Sequence, residues 1–264
     1  MNIEVILAPA ELSRLSQRDL SATACVVFDI LRATSAFVTA LHNGASAIIP
    51  VSEISEALAM KAKRPRLLMA GERNGMKIRV DGAEFDFGNS PREFAAHKVK
   101  GRTIVSTTTN GTRALRACAG AKTVLAGAFL NLKATAKFLM ELKAPNALLV
   151  CAGTGENAAL EDVLAAGALC QALARTQKTS FFSDSARVAL AVFVQSSPRL
   201  ARTVCESENA RRLLAMPELR DDVAFCLQQD VFDLAARMNG EKITLAGAPG
   251  ASKWTKPKKG IIRR

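Results

Sequence analysis

Seven short apolar runs, separated by segments of helical period, constrain this chain more than any other feature. They are 3–7 (IEVIL), 24–28 (ACVVF), 46–51 (SAIIPV), 66–70 (RLLMA), 102–106 (RTIVS), 122–126 (KTVLA) and 146–151 (NALLVC). Runs without polar alternation suit strands buried on both faces, inside a parallel sheet covered by helices. Helical patterns fill the gaps near 34–42, 52–63, 91–97, 112–119, 131–142 and 160–174. The spacing predicts the α/β class, a layered fold with a largely parallel, buried sheet. Ser90-Pro91-Arg92-Glu93 has the form of a capping box with proline at the first helical position. Beyond about 185 the pattern is mainly helical, with one more strand expected at Lys242–Ala246.

Composition supports this class. Hydrophobic residues make up 49% of the 264, so one large core can form. Aromatics are only 5%, with one Trp and no Tyr, so the core must be built of Ala, Leu and Val. That favours helices packed on a sheet over a β-sandwich. A faint repeat aligns Val26–Leu41 with Ile104–Ala119, and Pro65-Arg66-Leu67-Leu68 with the segment that begins at Pro145. We expect one domain over 1–250, with a candidate duplication of about 24–100 in 102–180 that would place two anion-type loops at equivalent positions.

Half of the net charge of +12 lies in the last fourteen residues, ASKWTKPKKGIIRR, which hold six cations and no acid. We read 251–264 as a basic, flexible tail. Trp254 is its single aromatic, so nucleic-acid binding is disfavoured. The mildly basic body suits a small anionic substrate better. Cysteines 25, 118, 151, 170, 205 and 226 show no CxxC pair and no zinc spacing. They read as small core residues in a reducing cytoplasm. The start, MNIEVILAPAEL, lacks the basic and long apolar segments of a signal peptide. No run of about 18 apolar residues is present, so no membrane span is expected.

Ligands of parallel α/β sheets bind where strands end and helices begin. Four strand ends here carry polar loops. After 24–28 come Asp29, Arg32 and Thr34; after 66–70 come Gly71-Glu72-Arg73-Asn74-Gly75. After 102–106 comes Thr107-Thr108-Thr109-Asn110-Gly111-Thr112. After 146–151 come Gly153-Thr154-Gly155-Glu156-Asn157 and then Glu161-Asp162. Threonine hydroxyls, backbone N–H groups exposed at glycines and helix N-termini cradle anions. Arg32 and Arg73 could clamp one. Asp29, Glu72, Glu161 and Asp162 are hard oxygen donors of the kind Mg²⁺ takes, and the chain has only His42 and His97 to offer a softer metal.

Each residue also has a purely structural use. Asp29 can cap the following helix, Arg32 can be solvated, and Glu161-Asp162 can favour a helix dipole. TTTNGT can be a helix cap and turn, Glu72-Arg73 an ion pair, and Cys151 a core thiol. The segment Phe85–Pro91, with Asn89, can be the approach to a capped helix. Its loop, Gly71 to Asn89, is long enough to suggest function. Several motifs are absent: GxxxxGK[ST], GxSxG, a phosphatase loop with Arg six positions after Cys151, and DxD at Asp29. Gly153–Ala158 loosely matches GxGxxA, which leaves a dinucleotide-dependent oxidoreductase open. A non-catalytic protein that binds phosphorylated acids is the other alternative.

The segments VVFDILRATS, AGERNG, FDFGNSP, STTTNGTRAL and CAGTGENAALEDVLAAGAL together resemble the 2-phosphosulfolactate phosphatase family. They cover about 24–170 in order; in the last hundred residues DDVAFCLQQD is the best matching piece. The resemblance implies a three-layer α/β/α fold with a largely parallel or mixed sheet and two intertwined similar halves, Mg²⁺-dependent hydrolysis of a phosphorylated sulfonated 2-hydroxy acid, a cytoplasmic setting and a role in coenzyme M biosynthesis. A homodimer is left open. From the residue types at the four strand ends, rather than from the family, we assign catalytic roles to Asp29, Arg32, Glu72, Arg73 and a lining Cys151, and metal ligation to Asp29, Glu161 and Asp162. Phosphate and substrate contacts fall to Thr34, Asn89, Thr107, Thr108, Thr109, Asn110, Gly111, Thr112, Gly153 and Gly155.

Overall fold

Each apolar run becomes a strand, because its residues lose water on both faces at once. The computed structural model describes residues 1–80, 82–176 and 181–247; the tail 251–264 lies outside the described residues. Strands are β1 (Asn2–Ile6), β2 (Thr23–Phe28), β3 (Ala47–Pro50), β4 (Leu68–Arg73), β5 (Met76–Lys77), β6 (Arg79–Val80) and β7 (Ala83–Glu84). They continue with β8 (Thr103–Thr107), β9 (Thr123–Gly127), β10 (Asn146–Cys151), β11 (Phe181–Phe182), β12 (Ala236–Asn239) and β13 (Lys242–Leu245). Helices are α1 (Ala33–His42), α2 (Ile54–Lys63), α3 (Ala96–Val99), α4 (Gly111–Ala117) and α5 (Leu132–Leu142). After these come α6 (Leu160–Thr176), α7 (Asp184–Ser196), α8 (Leu200–Cys205), α9 (Glu208–Leu214) and α10 (Arg220–Cys226).

The fold is α/β, with helices layered on a large mixed sheet in the order β11-β1-β10-β2-β9-β12-β13-β3-β8-β4-β5. β1, β10, β2 and β9 are parallel, and so are β3, β8 and β4. The hairpin β12–β13 joins the two blocks by antiparallel pairing, to β9 at Ala236–Ala126 and to β3 at Ile243–Ile48. The blocks exchange strands. β2 lies between β9 and β10, which follow it by about a hundred residues, while β8 lies between the earlier β3 and β4. Every residue of β2 is buried, as its unbroken apolar run requires.

The strand expectations hold within a residue or two, except that the one expected over 66–70 is Leu68–Arg73, so Gly71, Glu72 and Arg73 belong to the strand rather than to the loop after it. The helix expected over 91–97 is instead a 3-10 turn, Pro91–Glu93, followed by the short α3. The capping box fails because its two side chains are engaged elsewhere: Ser90 Oγ donates to Asp222 Oδ1 (2.6 Å), and Glu93 Oε2 accepts from Gly88 N (2.7 Å). The long segment Gly71–Asn89 is no bare loop. It turns back through β5 to β7 and buries Ile78 and Phe85 in a small second core with Ile49, Met69 and Val105. No helix among the described residues is long and apolar enough to cross a membrane.

Candidate active site

Asp29 is the first polar residue after the buried β2. Its backbone N–H donates to Thr34 Oγ1 (3.0 Å), and the Thr34 hydroxyl returns a bond to Asp29 O (3.0 Å). Its Oδ1 accepts from Ala33 N (3.0 Å), capping the first turn of α1. Oδ2 receives no hydrogen bond from the described residues, and Gly111 packs against it. A Cβ at Gly111 would lie 2.5 Å from Asp29 Oδ2 and 2.7 Å from the Ala33 Cβ, so glycine is what lets the starts of α1 and α4 meet. The carboxyl ends of β2 and β10 thereby converge with those of β4 and β8.

A cavity of about 260 Å³ opens at this convergence. Asp29, Arg32, Glu72, Asn89, Thr109, Asn110, Gly153 and Gly155 line it, as sequence reasoning expected, together with Asn74, Gly75, Thr154, Asn209, Arg212 and Leu213. Asn110 ties two of its walls, donating from Nδ2 to Ala152 O (2.9 Å) and Gly155 O (3.1 Å). Glu72 ties two more. Its Oε1 accepts from Thr109 N and Oγ1 (3.0 Å each), and its Oε2 from Gly75 N (2.8 Å). A carboxylate holding three donors organises loops before it does anything else.

Glu161 and Asp162 start α6 and lie buried behind the Gly153–Gly155 wall. Asp162 is a strut: Oδ1 accepts from Ile30 N (2.8 Å) and Oδ2 from Gly153 N (3.0 Å). Glu161 is half used. Oε1 accepts from Asn209 Nδ2 (2.7 Å), but Oε2 is buried with no partner. An orphaned buried acceptor costs about 1–3 kcal/mol unless something fills its place. The acids also act on one another. Burial, above all, pushes Asp29 up to about 7, with Glu72 and Glu161 adding to it against the opposing Ala33 N–H and Arg32. Burial beside Asp29 and Glu161 holds Asp162 well above the usual carboxylate range.

These observations bear on a divalent cation. No group of three or more His, Cys, Asp or Glu among the described residues is arranged to hold a metal. Mg²⁺ does not need such a cage, since it keeps several waters and takes one or two carboxylates plus substrate phosphate. Glu161 Oε2 and Asp29 Oδ2 fit that demand, being carboxylate oxygens without hydrogen bonds in one cluster of acids. Asp162, expected as a ligand, does not fit, because both its oxygens are spent on backbone N–H groups.

Arg32 is buried at 3% exposure and paired with the fully buried Asp222 (2.8 Å) of α10. It also donates to Gly75 O (2.7 Å), and the Leu31–Arg32 peptide is cis. Asp222 further accepts from Ser90, and Arg92 lies 3.6 Å away. Other expected residues sit apart from the cavity. Arg73 turns away, donating to Thr107 Oγ1 (3.0 Å) and to Glu72 and Ser52 carbonyls. Thr107 is fully buried and donates to Ser52 O (3.1 Å). Thr108 accepts from Thr112 N and Thr112 donates to Thr108 O, which is a helix-start clasp. Thr34 is spent on Asp29, and Gly111 serves by its lack of a side chain. Cys151 is fully buried, its thiol pushed well up by desolvation, so it does not line the cavity. Sequence reasoning missed Asn209, Arg212 and Asp222. Only Asp222 lay in a segment it singled out, DDVAFCLQQD.

The family model described as 2-phosphosulpholactate phosphatase matches residues 10–241. A probable 2-phosphosulfolactate phosphatase of Caldanaerobacter subterraneus subsp. tengcongensis is 39% identical over 227 residues, 85% of this chain and 91% of the relative. One of the same description from Thermotoga petrophila is 39% identical over 230 residues, 87% and 92% of the two chains. Another from Clostridium novyi is 33% identical over 245 residues, covering 92% of this chain and all of the relative.

Proposed function

The chain belongs to the 2-phosphosulpholactate phosphatase family, and from that premise we propose that it hydrolyses 2-phosphosulfolactate to sulfolactate and inorganic phosphate with Mg²⁺. One observation carries this reading. At the converging strand ends Asp29, whose Oδ2 has no hydrogen bond, lines a polar cavity of about 260 Å³, and Glu161, buried behind its Asn209 wall residue, keeps Oε2 without a partner. Glu161 and Asp29 would hold the ion. When bound it neutralises phosphate charge and makes water a better nucleophile near neutral pH.

The chain's own groups then divide the remaining work. Asp29 would offer Oδ2 to that ion while its Oδ1 stays on the Ala33 N–H, which fixes the orientation of the carboxylate. Glu72 and Asn110 hold the loops that wall the cavity, so the oxyanion meets fixed rather than reorganising dipoles. Asn89 is buried at the wall and its amide makes no hydrogen bond among the described residues, which leaves it for substrate. Arg32 orients more than it attracts, because Asp222 already balances its charge. The dinucleotide alternative draws no support from Gly153–Asn157. That segment closes into a tight turn through reciprocal Thr154–Asn157 bonds, with Gly153 N given to Asp162. The six cysteines are all free, which supports a reducing cytoplasm.

The test is phosphate release from 2-phosphosulfolactate, with Mg²⁺ and with EDTA, beside the melting temperature under the same conditions. We expect release only with Mg²⁺, and a Mg²⁺-induced rise in melting temperature that Glu161→Gln abolishes. Binding of the ester without release by the metal-loaded protein would move the assignment to the non-catalytic alternative.

A further inference from the structure

We propose that Arg212, on α9, is the specificity residue of this site: it binds the acid group of the substrate that does not react. The inference deepens the phosphatase reading and rests on it. It assigns the reading of the monoester's second anion to one side chain.

The argument runs through the cations near the cavity. Arg32 lines it, but Asp222 and the Gly75 carbonyl already hold its guanidinium. Arg73 is turned to Thr107, Ser52 and the Glu72 carbonyl, away from the cavity. Arg113, at the start of α4, is paired with Glu156 at 2.6 Å. Arg212 differs from all three. It lines the cavity, and it donates to the neutral Asn209 Oδ1 (2.7 Å) with no carboxylate partner among the described residues. Its remaining N–H donors and its full charge are left for a ligand.

Depth assigns the anion. Glu161 is 1% exposed at the inner end of a chain of contacts, whereas Arg212 is exposed at the outer end. Asn209 joins them, donating to Glu161 Oε1 (2.7 Å) and Thr154 Oγ1 (2.7 Å) while its Oδ1 accepts from Arg212. That amide can serve only one way round, so it fixes the guanidinium relative to the inner carboxylate. A phosphoryl group reacting near Glu161 and Asp29 therefore leaves the ester's other acid toward the mouth, where Arg212 waits.

Two esters with the same branched carbon separate the roles: 2-phosphosulfolactate, with two further acid groups, and isopropyl phosphate, with none. Arg212→Ala should lower kcat/KM for the first by about 30-fold, mostly through KM, as loss of a charge-assisted bond implies. Isopropyl phosphate should change by less than about threefold, and Arg212→Lys should recover part of the loss. Equal loss on both esters, or none on either, overturns the proposal. Calorimetric titration with sulfolactate, in the presence of Mg²⁺, decides independently of turnover. Binding weakened about 30-fold by Arg212→Ala supports the assignment, and unchanged binding overturns it. If the unaltered enzyme releases phosphate from neither ester, the phosphatase reading fails, and the titration still decides the role of Arg212.

Discussion

At the scale of single residues, Asp29 concentrates the conflict that defines the site. It caps α1 with one oxygen and holds the other in a cluster of acids. Its proton affinity rises from the ordinary 3.8 to about 7 mainly through burial. A carboxyl with a raised folded value adds stability while protonated and loses it as pH climbs through that value. In EDTA, the melting temperature should therefore fall as pH rises from about 4 to about 7. Added Mg²⁺ should stabilise more at pH 8 than at pH 5, because the proton no longer competes for the oxygens. Asp29→Asn should flatten the EDTA slope and lower the rate by roughly 100-fold or more. A slope unchanged by the substitution would assign it to other groups, and a rate loss under about threefold would remove Asp29 from the reaction.

At the scale of elements, the C-terminal helices complete a site that the strand ends only begin. α9 brings Asn209 and Arg212, and α10 brings Asp222 beneath Arg32. The Arg32–Asp222 pair is almost fully buried, so removing one partner strands the other without water. Asp222→Ala should cost about 3–5 kcal/mol in a denaturant melt. A charge-neutral double change, Arg32→Met with Asp222→Leu, should recover much of that stability while leaving activity low. Full activity in the double variant would reduce the pair to packing. The elements also show where local signals mislead. Ser90-Pro91-Arg92-Glu93 carries every mark of a helix start, yet Asp222 takes the Ser90 hydroxyl and Gly88 takes Glu93. A cap forms only when its side chains have no better partner.

At the scale of the whole molecule, the strand exchange makes the halves inseparable. β2 leaves its neighbours in sequence to lie between β9 and β10, and β8 lies between β3 and β4. A fragment ending near residue 100 would expose both edges and both faces of β2, whose six residues are all buried in the intact chain. Neither 1–100 nor 101–247 should show a cooperative thermal transition by circular dichroism when alone. Mixed together they should regain one. A cooperative melt of the first fragment alone would show that β2 finds partners within it.

The sequence by itself determined the class of fold and the strand ends that meet at the cavity. Burial on both faces leaves unbroken apolar runs, and a polar residue that ends such a run, like Asp29 after β2, must lie at the strand's carboxyl end. It also marked Glu72, Asn89, Asn110, Gly153 and Gly155, all of which line the cavity. Only the tertiary structure decided which polar groups are left over for a ligand. Asp162 and Arg73 look as chemical as Glu161 and Arg212 in one dimension, but the first two are saturated by backbone and threonine partners. The latter keep an orphaned oxygen and an uncompensated charge. Hydrogen-bond saturation depends on neighbours far apart in the chain, such as Asn209 with Glu161 or Asp222 with Arg32, so no local pattern records it.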